Sequence, residues 1–342
     1  VLEALRRELP EARVAWVVEA AFAPLLEDHP GIERLIPVRL RGWRKERPSA
    51  AVRREIRDAY RALRTFRADV ALDLMGNHKG GFLARLSGAR RVIGPARPDR
   101  REPSSAVWIG EPVAAPGPHV VDRALALLAP LGVEPPAVEL GGDHVLTRTP
   151  PETADFLAAR PGPYAVIQAG AGWGNKSYPP AWWGRVASEL RRRAGLEVWV
   201  PIAPGEEALA AAVADASGGA ARTVDTRPLH ALGALIRHAR LVLGGDTGPV
   251  HLAHAFGTPV LCVVGPTDPR RIGPYGAPER VLHHPLPCSC CYKRFPEPKA
   301  CLLQIPPERV SARALELLDE TAGSASGRPE NGASESTGPA PW

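Results

Sequence analysis

Short apolar runs alternate with helical patterns along nearly the whole chain, and this alternation limits the fold more than any other feature. Strand-like runs are read at 13–18, 35–38, 70–74 and 91–93, with helices near Ala21, over 51–65 and over 80–86. Strands that alternate with helices in this way form βαβ units and a parallel sheet. A helix over 120–131 gives way to 132–163, a stretch rich in proline and glycine whose one helical piece lies near 153–159. A second alternating series then supplies strands at 164–168, 197–201, 222–225, 241–243, 260–264 and 280–283, enough for a complete doubly wound domain.

The expected fold class is therefore α/β in two domains, over 1–140 and 141–320, which suits a chain of 342 residues. From Thr321 to Trp342 the chain is Ser, Gly, Ala, Pro and Glu with almost nothing to bury, so a disordered tail is expected. Val1 to Arg7 already reads as the middle of an amphipathic helix, with Leu2, Leu5 and Leu9 apolar and no initiator methionine. A preceding segment, and with it the first strand of the N-terminal domain, is expected to be missing.

Composition narrows the function classes. No run approaches the roughly 18 consecutive apolar residues of a membrane span, so a soluble protein is expected. The net charge is +6 and the pI 9.3, but the arginines are interleaved with acids rather than gathered in one stripe. That pattern argues against nucleic acid as a partner and leaves room for an anionic substrate. Five cysteines without a signal peptide do not suggest a secreted disulfide framework, and the cytoplasm is the expected compartment.

Ligands of open α/β sheets bind beyond the carboxyl ends of the strands, so the loops after the second-domain strands are where chemistry is expected. After the strand at 241–243 come Gly244, Gly245, Asp246, Thr247 and Gly248, with Pro249 placed to start a helix. The unpaired N–H groups of such a helix start attract phosphate, the Thr247 hydroxyl adds a donor, and His251 can point at the same anion. The competing reading is that Asp246 and Thr247 only cap the helix. A second polar loop, Gly265 to Pro269, follows the next strand and favours a site over simple capping.

The loop from Ala169 to Pro179 reads AGAGWGNKSYP and holds Lys176, one of five lysines in the chain. Its glycines lack the G-x-G-x-x-G spacing of a dinucleotide fingerprint. Lys176 reads as a point charge for a diphosphate or, equally, as a solvated lysine. Glu206 and Glu207, after the next strand, read as ligands for ribose hydroxyls or as ordinary acids at a helix N-terminus.

The run GGDTGPVHLAHAFGTPVLCVVGPTDPRRIGPYG closely resembles the signature of the ADP-heptose:lipopolysaccharide heptosyltransferases, glycosyltransferase family 9. The resemblance extends to GAGWGNKSYPPAWWGRVASEL, to the loop at 203–208, and to AWVVEAAFAPLLEDHPGIERLIPVRLRGWRK, which is similar to heptosyltransferase I-like members. It implies a GT-B architecture of two Rossmann-like doubly wound domains facing a cleft, with acceptor bound by the first and donor by the second. It also implies inverting transfer that needs neither metal nor cofactor, in which an acceptor hydroxyl displaces ADP from the sugar.

By matching positions, Lys176 would contact the donor phosphates and stabilise the leaving group. Asp246, Thr247, Gly248 and His251 would line the sugar-nucleotide pocket, and Glu206 or Glu207 would face the nucleoside. The general base of the family is an aspartate in a G-D segment, which falls upstream of Val1. Trp43, Arg44, Lys45, Asn77, Lys79, Arg97, Arg100 and Arg101 lie in predicted loops of the first domain. Among them Arg44, Lys45, Lys79 and Arg97 are the candidates for acceptor binding, though each alone also reads as solvated surface.

The implied partners are an ADP-sugar donor and a lipid-anchored anionic glycan acceptor. Peripheral contact with the inner face of the inner membrane is expected, although no amphipathic anchoring helix is evident. The alternative function is that of a non-catalytic nucleotide-sugar-binding homologue. Cys288, Cys291 and Cys301 include a C-x2-C pair of zinc-ligand spacing. Phe295 stands where the family pattern has a further cysteine and Cys290 where proline is commoner, so a thiol cluster without metal is the favoured reading.

Overall fold

The computed structural model describes residues 1–45, 49–134, 140, 142–147, 151–160, 162–298 and 300–325. The first part of the chain contains α1 (Leu2–Glu8), β1 (Ala15–Glu19), β2 (Arg34–Val38), α2 (Leu40–Lys45) and α3 (Ala50–Phe66). It continues with β3 (Val70–Leu72), α4 (His78–Leu86), β4 (Arg91–Pro95), β5 (Glu111–Val113) and α5 (Val120–Ala126). Side chains set the helix starts: Ser49 accepts from the Val52 N–H at 3.2 Å, and Asn77 from the Gly80 N–H at 2.9 Å.

These strands make two parallel sheets, one pairing β1 with β2 and the other ordered β3-β4-β5. Among the described residues β1 and β3 are not paired with one another. α1 packs against α5 and the residues just after it through Ala4, Leu5, Leu125 and Leu128.

The second part runs α6 (Pro151–Ala158), β6 (Tyr164–Gln168), α7 (Pro180–Ala194), β7 (Glu197–Ile202), α8 (Glu207–Ala216) and β8 (Ala221–Asp225). Then follow α9 (Leu229–Arg237), β9 (Leu241–Gly244), α10 (Gly248–Ala255), β10 (Val260–Val264), α11 (Pro269–Ile272) and β11 (Val281–His283). α12 (Ala300–Leu303) and α13 (Pro307–Ala325) complete it. All six strands are parallel, in the order β11-β10-β9-β6-β7-β8.

Every residue of β6, β9 and β10 is buried, because helices cover both faces of the sheet. α7, α8 and α13 close one face around Trp183, Val186 and Leu190; α9 and α10 close the other around Leu235, Ile236 and Val250. The order reverses between β6 and β9, which opens a crevice at the carboxyl ends of these two strands.

Three elements differ from the sequence-based expectation. The helix over 120–131 stops at Ala126 and resumes as a 3₁₀ turn at Ala129–Leu131, since Pro130 has no N–H to continue it. β5 was not expected; it is a three-residue edge strand with Pro112 at its centre and no apolar alternation. α13 carries the helix past Thr321 to Ala325, so 321–325 are helical where the tail was expected to have begun; 326–342 lie outside the described residues. No helix among the described residues is long and apolar enough to cross a membrane.

Candidate functional site

β6 and β9 are neighbours in the sheet, so the loops that leave their carboxyl ends meet at the crevice. The loop after β9 turns through Gly245, Asp246 and Thr247 into α10; the loop after β6 brings Lys176 back against it. The Lys176 ammonium forms an ion pair with the Asp246 carboxylate and also donates to the Asp246 carbonyl at 3.3 Å. Both side chains are nearly enclosed, 14% and 13% exposed.

Asp246 has two further partners. His251, one turn into α10, places Nε2 3.2 Å from Oδ1, and Thr267 from the loop after β10 donates to Oδ2 at 3.3 Å. Burial alone would raise the Asp246 pKa, but the hydrogen bonds from His251 and Lys176 and the lysine charge hold it below the ordinary carboxylate value. The carboxylate stays ionised and fixes the direction of the lysine.

Capping does not account for these residues. Thr247 occupies the N-cap position of α10 but makes no side-chain cap hydrogen bond, and its hydroxyl is buried without a partner among the described residues. Gly248 begins the helix with open space around it. A hydroxyl, helix N–H groups and an ammonium thus converge on one crevice, the donor set that binds a phosphate oxygen.

Glu206 and Glu207 are separated by the fold. Glu206 is half-buried and its carboxylate lies against Gly170, where any side chain would collide with it. Burial and the neighbouring Glu207 raise its pKa above the usual carboxylate value. Glu207 is exposed as the first residue of α8, in the position of an ordinary helix N-terminal acid.

A segment not expected at the site closes over it. Asn175, 1% exposed, donates from its backbone to the Phe295 carbonyl at 3.0 Å and from its side chain to the Lys293 carbonyl at 2.8 Å. Tyr292 donates its N–H to the Pro266 carbonyl at 3.1 Å, and the Asp268 N–H donates to the Tyr292 hydroxyl at 3.3 Å. The cysteine-bearing segment therefore ties the loops after β6 and β10 together.

This strap also places Arg294 over the Trp173 ring, 4.7 Å from its centroid, while Lys176 lies 4.8 Å from the same centroid. Trp173, Asn175 and Arg294 were not singled out from the sequence, whereas Thr267 belongs to the polar loop from Gly265 to Pro269 that was. Arg294 was legible only as part of the CSCCYKRF motif, where the cysteines drew the attention. Cys288 is exposed, Cys290 and Cys291 are half-buried and Cys301 is buried; among the described residues no three metal-ligating side chains are grouped to hold an ion.

Asp246 and His251 open onto a cavity of 410 Å³ whose opposite wall is α1 and α5, with Glu3, Arg7 and His119. The two parts of the chain touch at one end of this cleft. His119 donates from Nε2 to the Gly273 carbonyl at 3.1 Å, its ring packs 4.6 Å from that of Tyr275, and the Tyr275 hydroxyl bonds Asp122.

The acceptor-side candidates are dispersed, and three residues considered with them have structural roles. Arg44 and Lys45 end α2 and Lys79 is in the first turn of α4, so these three are on helices rather than in loops. Lys79, Arg97 and Arg101 are exposed. Arg100 is instead buried, paired with Asp73 at 2.5 Å and donating to Ser105 Oγ at 2.7 Å, because the Asp73 charge would otherwise be stranded in the core. Asn77 is spent on capping α4, and Trp43 donates to Glu55 at 2.9 Å.

The model of glycosyltransferase family 9 (heptosyltransferase) matches residues 56–300. Lipopolysaccharide heptosyltransferase 1 of Pseudomonas aeruginosa is 31% identical, covering 92% of this chain and 92% of its own length. The solved structure of E. coli heptosyltransferase WaaC with ADP superposes with a TM-score of 0.74 at 25% identity, over 92% of this chain and 93% of that one. WaaC with ADP-2-deoxy-2-fluoro heptose superposes with a TM-score of 0.70 at 26% identity, over 94% of each chain.

Proposed function

This chain belongs to glycosyltransferase family 9, and we propose that it transfers a heptose from ADP-heptose to the core of lipopolysaccharide. Its two α/β parts form the GT-B architecture, with residues 141–320 taken as the donor side and 1–140 as the acceptor side. The observation that carries the reading is the ion pair between Lys176 and Asp246 at the switch point of the six-stranded sheet, beside the unpartnered Thr247 hydroxyl.

The chemistry follows from that crevice. The acceptor oxygen bonds to the anomeric carbon from the face opposite ADP, so the configuration inverts, and the bond from that carbon to the phosphate oxygen breaks. The electron pair leaves on ADP, while the proton of the acceptor hydroxyl passes to a general base. Negative charge grows on the diphosphate, where Lys176 and the N–H groups opening α10 stabilise it without calling on a metal ion. Glu206 accepts from the ribose hydroxyls, and His251 and Asp246 border the sugar. The acceptor is a lipid-anchored anionic glycan held by Arg44, Lys45, Lys79 and Arg97 at the cytoplasmic face of the inner membrane.

Calorimetric titration with ADP and with UDP tests the donor site. ADP binds in the micromolar range and UDP much more weakly, and Lys176→Ala weakens ADP by roughly 10- to 100-fold, the worth of a charged hydrogen bond. Equal affinity for both nucleotides, or an unaffected Lys176→Ala variant, sinks the assignment.

A further inference from the structure

α3 buries Val52, Ala59 and Leu63 toward β2 and the core, which leaves most of its circumference in solvent. On the solvent side Arg53, Ile56, Arg57, Tyr60, Arg61 and Arg64 recur at three- and four-residue spacing, so they share one face. All six are exposed, and Ile56 and Tyr60 present 43% of their surface each. The two acids of the helix lie off this stripe: Glu55 is held by Arg39 at 3.0 Å and by Trp43 at 2.9 Å, and Asp58 flanks it, 4.0 Å from Arg61.

The face continues beyond the helix. The Arg64 guanidinium lies against Gly88, just past the end of α4, and α4 exposes Lys79, Phe82 and Arg85 at three-residue spacing. Phe82 meets the Trp108 ring edge to face at 5.6 Å, beside Val107, which is 76% exposed. Arginines alternating with isolated apolar side chains on a helix lying flat on a domain are the arrangement that binds a charged bilayer surface. A protein-binding groove would present a continuous apolar seam instead. Arg57 and Arg61 also lie at i, i+4 spacing, where like charges repel in water and an anionic surface would relieve them.

We propose that this face of α3, continued by α4, docks the protein on an anionic phospholipid surface. The amphipathic docking helix that sequence reading did not find is thus a core helix whose outer face is basic. Only the supply of acceptor from the same surface rests on the transferase reading; the docking itself rests on the face. α2, which carries Arg44 and Lys45, is joined to α3 through Glu55, so docking would hold the acceptor side against the lipid.

Flotation of the full chain with vesicles of phosphatidylglycerol and phosphatidylcholine, against phosphatidylcholine alone, tests this without donor or acceptor. The protein floats with the anionic vesicles only, and added salt releases it. Each basic residue near such a surface is worth roughly fivefold in partitioning, so Arg57→Ala with Arg61→Ala lowers it roughly 30-fold. Arg57→Glu, which turns the i, i+4 repulsion with Arg61 into an attraction and so favours the helix, also loses vesicle binding. ADP titration of the variants reads the donor site separately, and its result is unchanged from the unsubstituted protein. No flotation with anionic vesicles, flotation that survives both sets of substitutions, or binding to duplex DNA in place of vesicles overturns the proposal.

Discussion

Thr247 stands at a helix N-cap and does no capping, while its hydroxyl is enclosed without a partner among the described residues. A buried unsatisfied hydroxyl costs free energy unless a ligand oxygen completes it. Thr247→Val therefore leaves stability in urea unchanged or raises it by about 1 kcal/mol, whereas loss of a working cap would lower it by about that amount. The same variant weakens ADP by roughly tenfold in calorimetry, one neutral hydrogen bond's worth. Binding and stability moving together would refute the assignment. Protons separate the two carboxylates of the site. Asp246 has a folded pKa below its ordinary 3.8, so its contribution is complete above that value and is lost only as pH falls through the depressed one. Glu206 has a folded pKa above its ordinary 4.5, so it takes up a proton first on acidification and, in the proposed donor site, becomes a weaker acceptor for a ribose hydroxyl. ADP affinity accordingly declines on acidification through Glu206 before Asp246 is protonated, and Glu206→Gln binds more weakly near neutrality with a flatter profile; an unchanged slope in that variant counts against this cause.

Elements were legible in proportion to how local their cause is. α7 reads directly from its sequence: Pro179 and Pro180 at the start, basic residues 191–193 in the last turn, and Gly195 in the left-handed conformation at φ +67° that ends it. β5 has no such signal, because an edge strand of three residues shows no period. The strap from Leu286 to Pro298 was read as a cysteine cluster, although its structural work is done by backbone carbonyls that sequence does not reveal. Gly174 is the point of closest approach: a Cβ there would strike the Pro296 backbone. Gly174→Ala thus displaces the strap at a cost of about 1–3 kcal/mol, measurable as lowered melting temperature and faster hydrogen exchange at 293–295. Arg294→Ala leaves the fold intact and weakens ADP several-fold, less than Lys176→Ala does, since Arg294 is exposed at the rim. Equal or larger loss in Arg294→Ala would make Arg294 the principal phosphate ligand.

The two parts of the molecule touch beside the cleft at Tyr275. Tyr275 links His119, Asp122 and His254: its ring packs on the first, its hydroxyl bonds the second, and its carbonyl accepts from His254 Nε2 at 2.8 Å. The Asp122 bond and burial push the Tyr275 phenol up to about 12, so it remains a donor throughout the neutral range. Burial holds the His254 pKa below its ordinary 6.5, outweighing the opposing pull of the Tyr275 carbonyl. A histidine held neutral in the folded state contributes stability above 6.5 that is lost as pH falls from there through the folded value. Acidification from pH 7 toward 5 should therefore lower the melting temperature, and His254→Gln, which keeps a donor for the Tyr275 carbonyl without titrating, should show a shallower fall. Identical slopes would place the acid sensitivity elsewhere.

Periodicity and turn chemistry act within a few residues of their cause, so the sequence by itself determined two α/β parts, the loops after the strands of the second, and the family signature they carry. Tertiary structure decided the partners. Lys176 and Asp246 are 70 residues apart and meet only because β6 and β9 are neighbours at the reversal of the sheet. Arg100, one more basic residue in the sequence, becomes a buried counterion because Asp73, just past the end of β3 and 27 residues away, is buried. A side chain's charge is written in the sequence, but whether that charge meets solvent, a ligand or another side chain depends on which strands lie side by side.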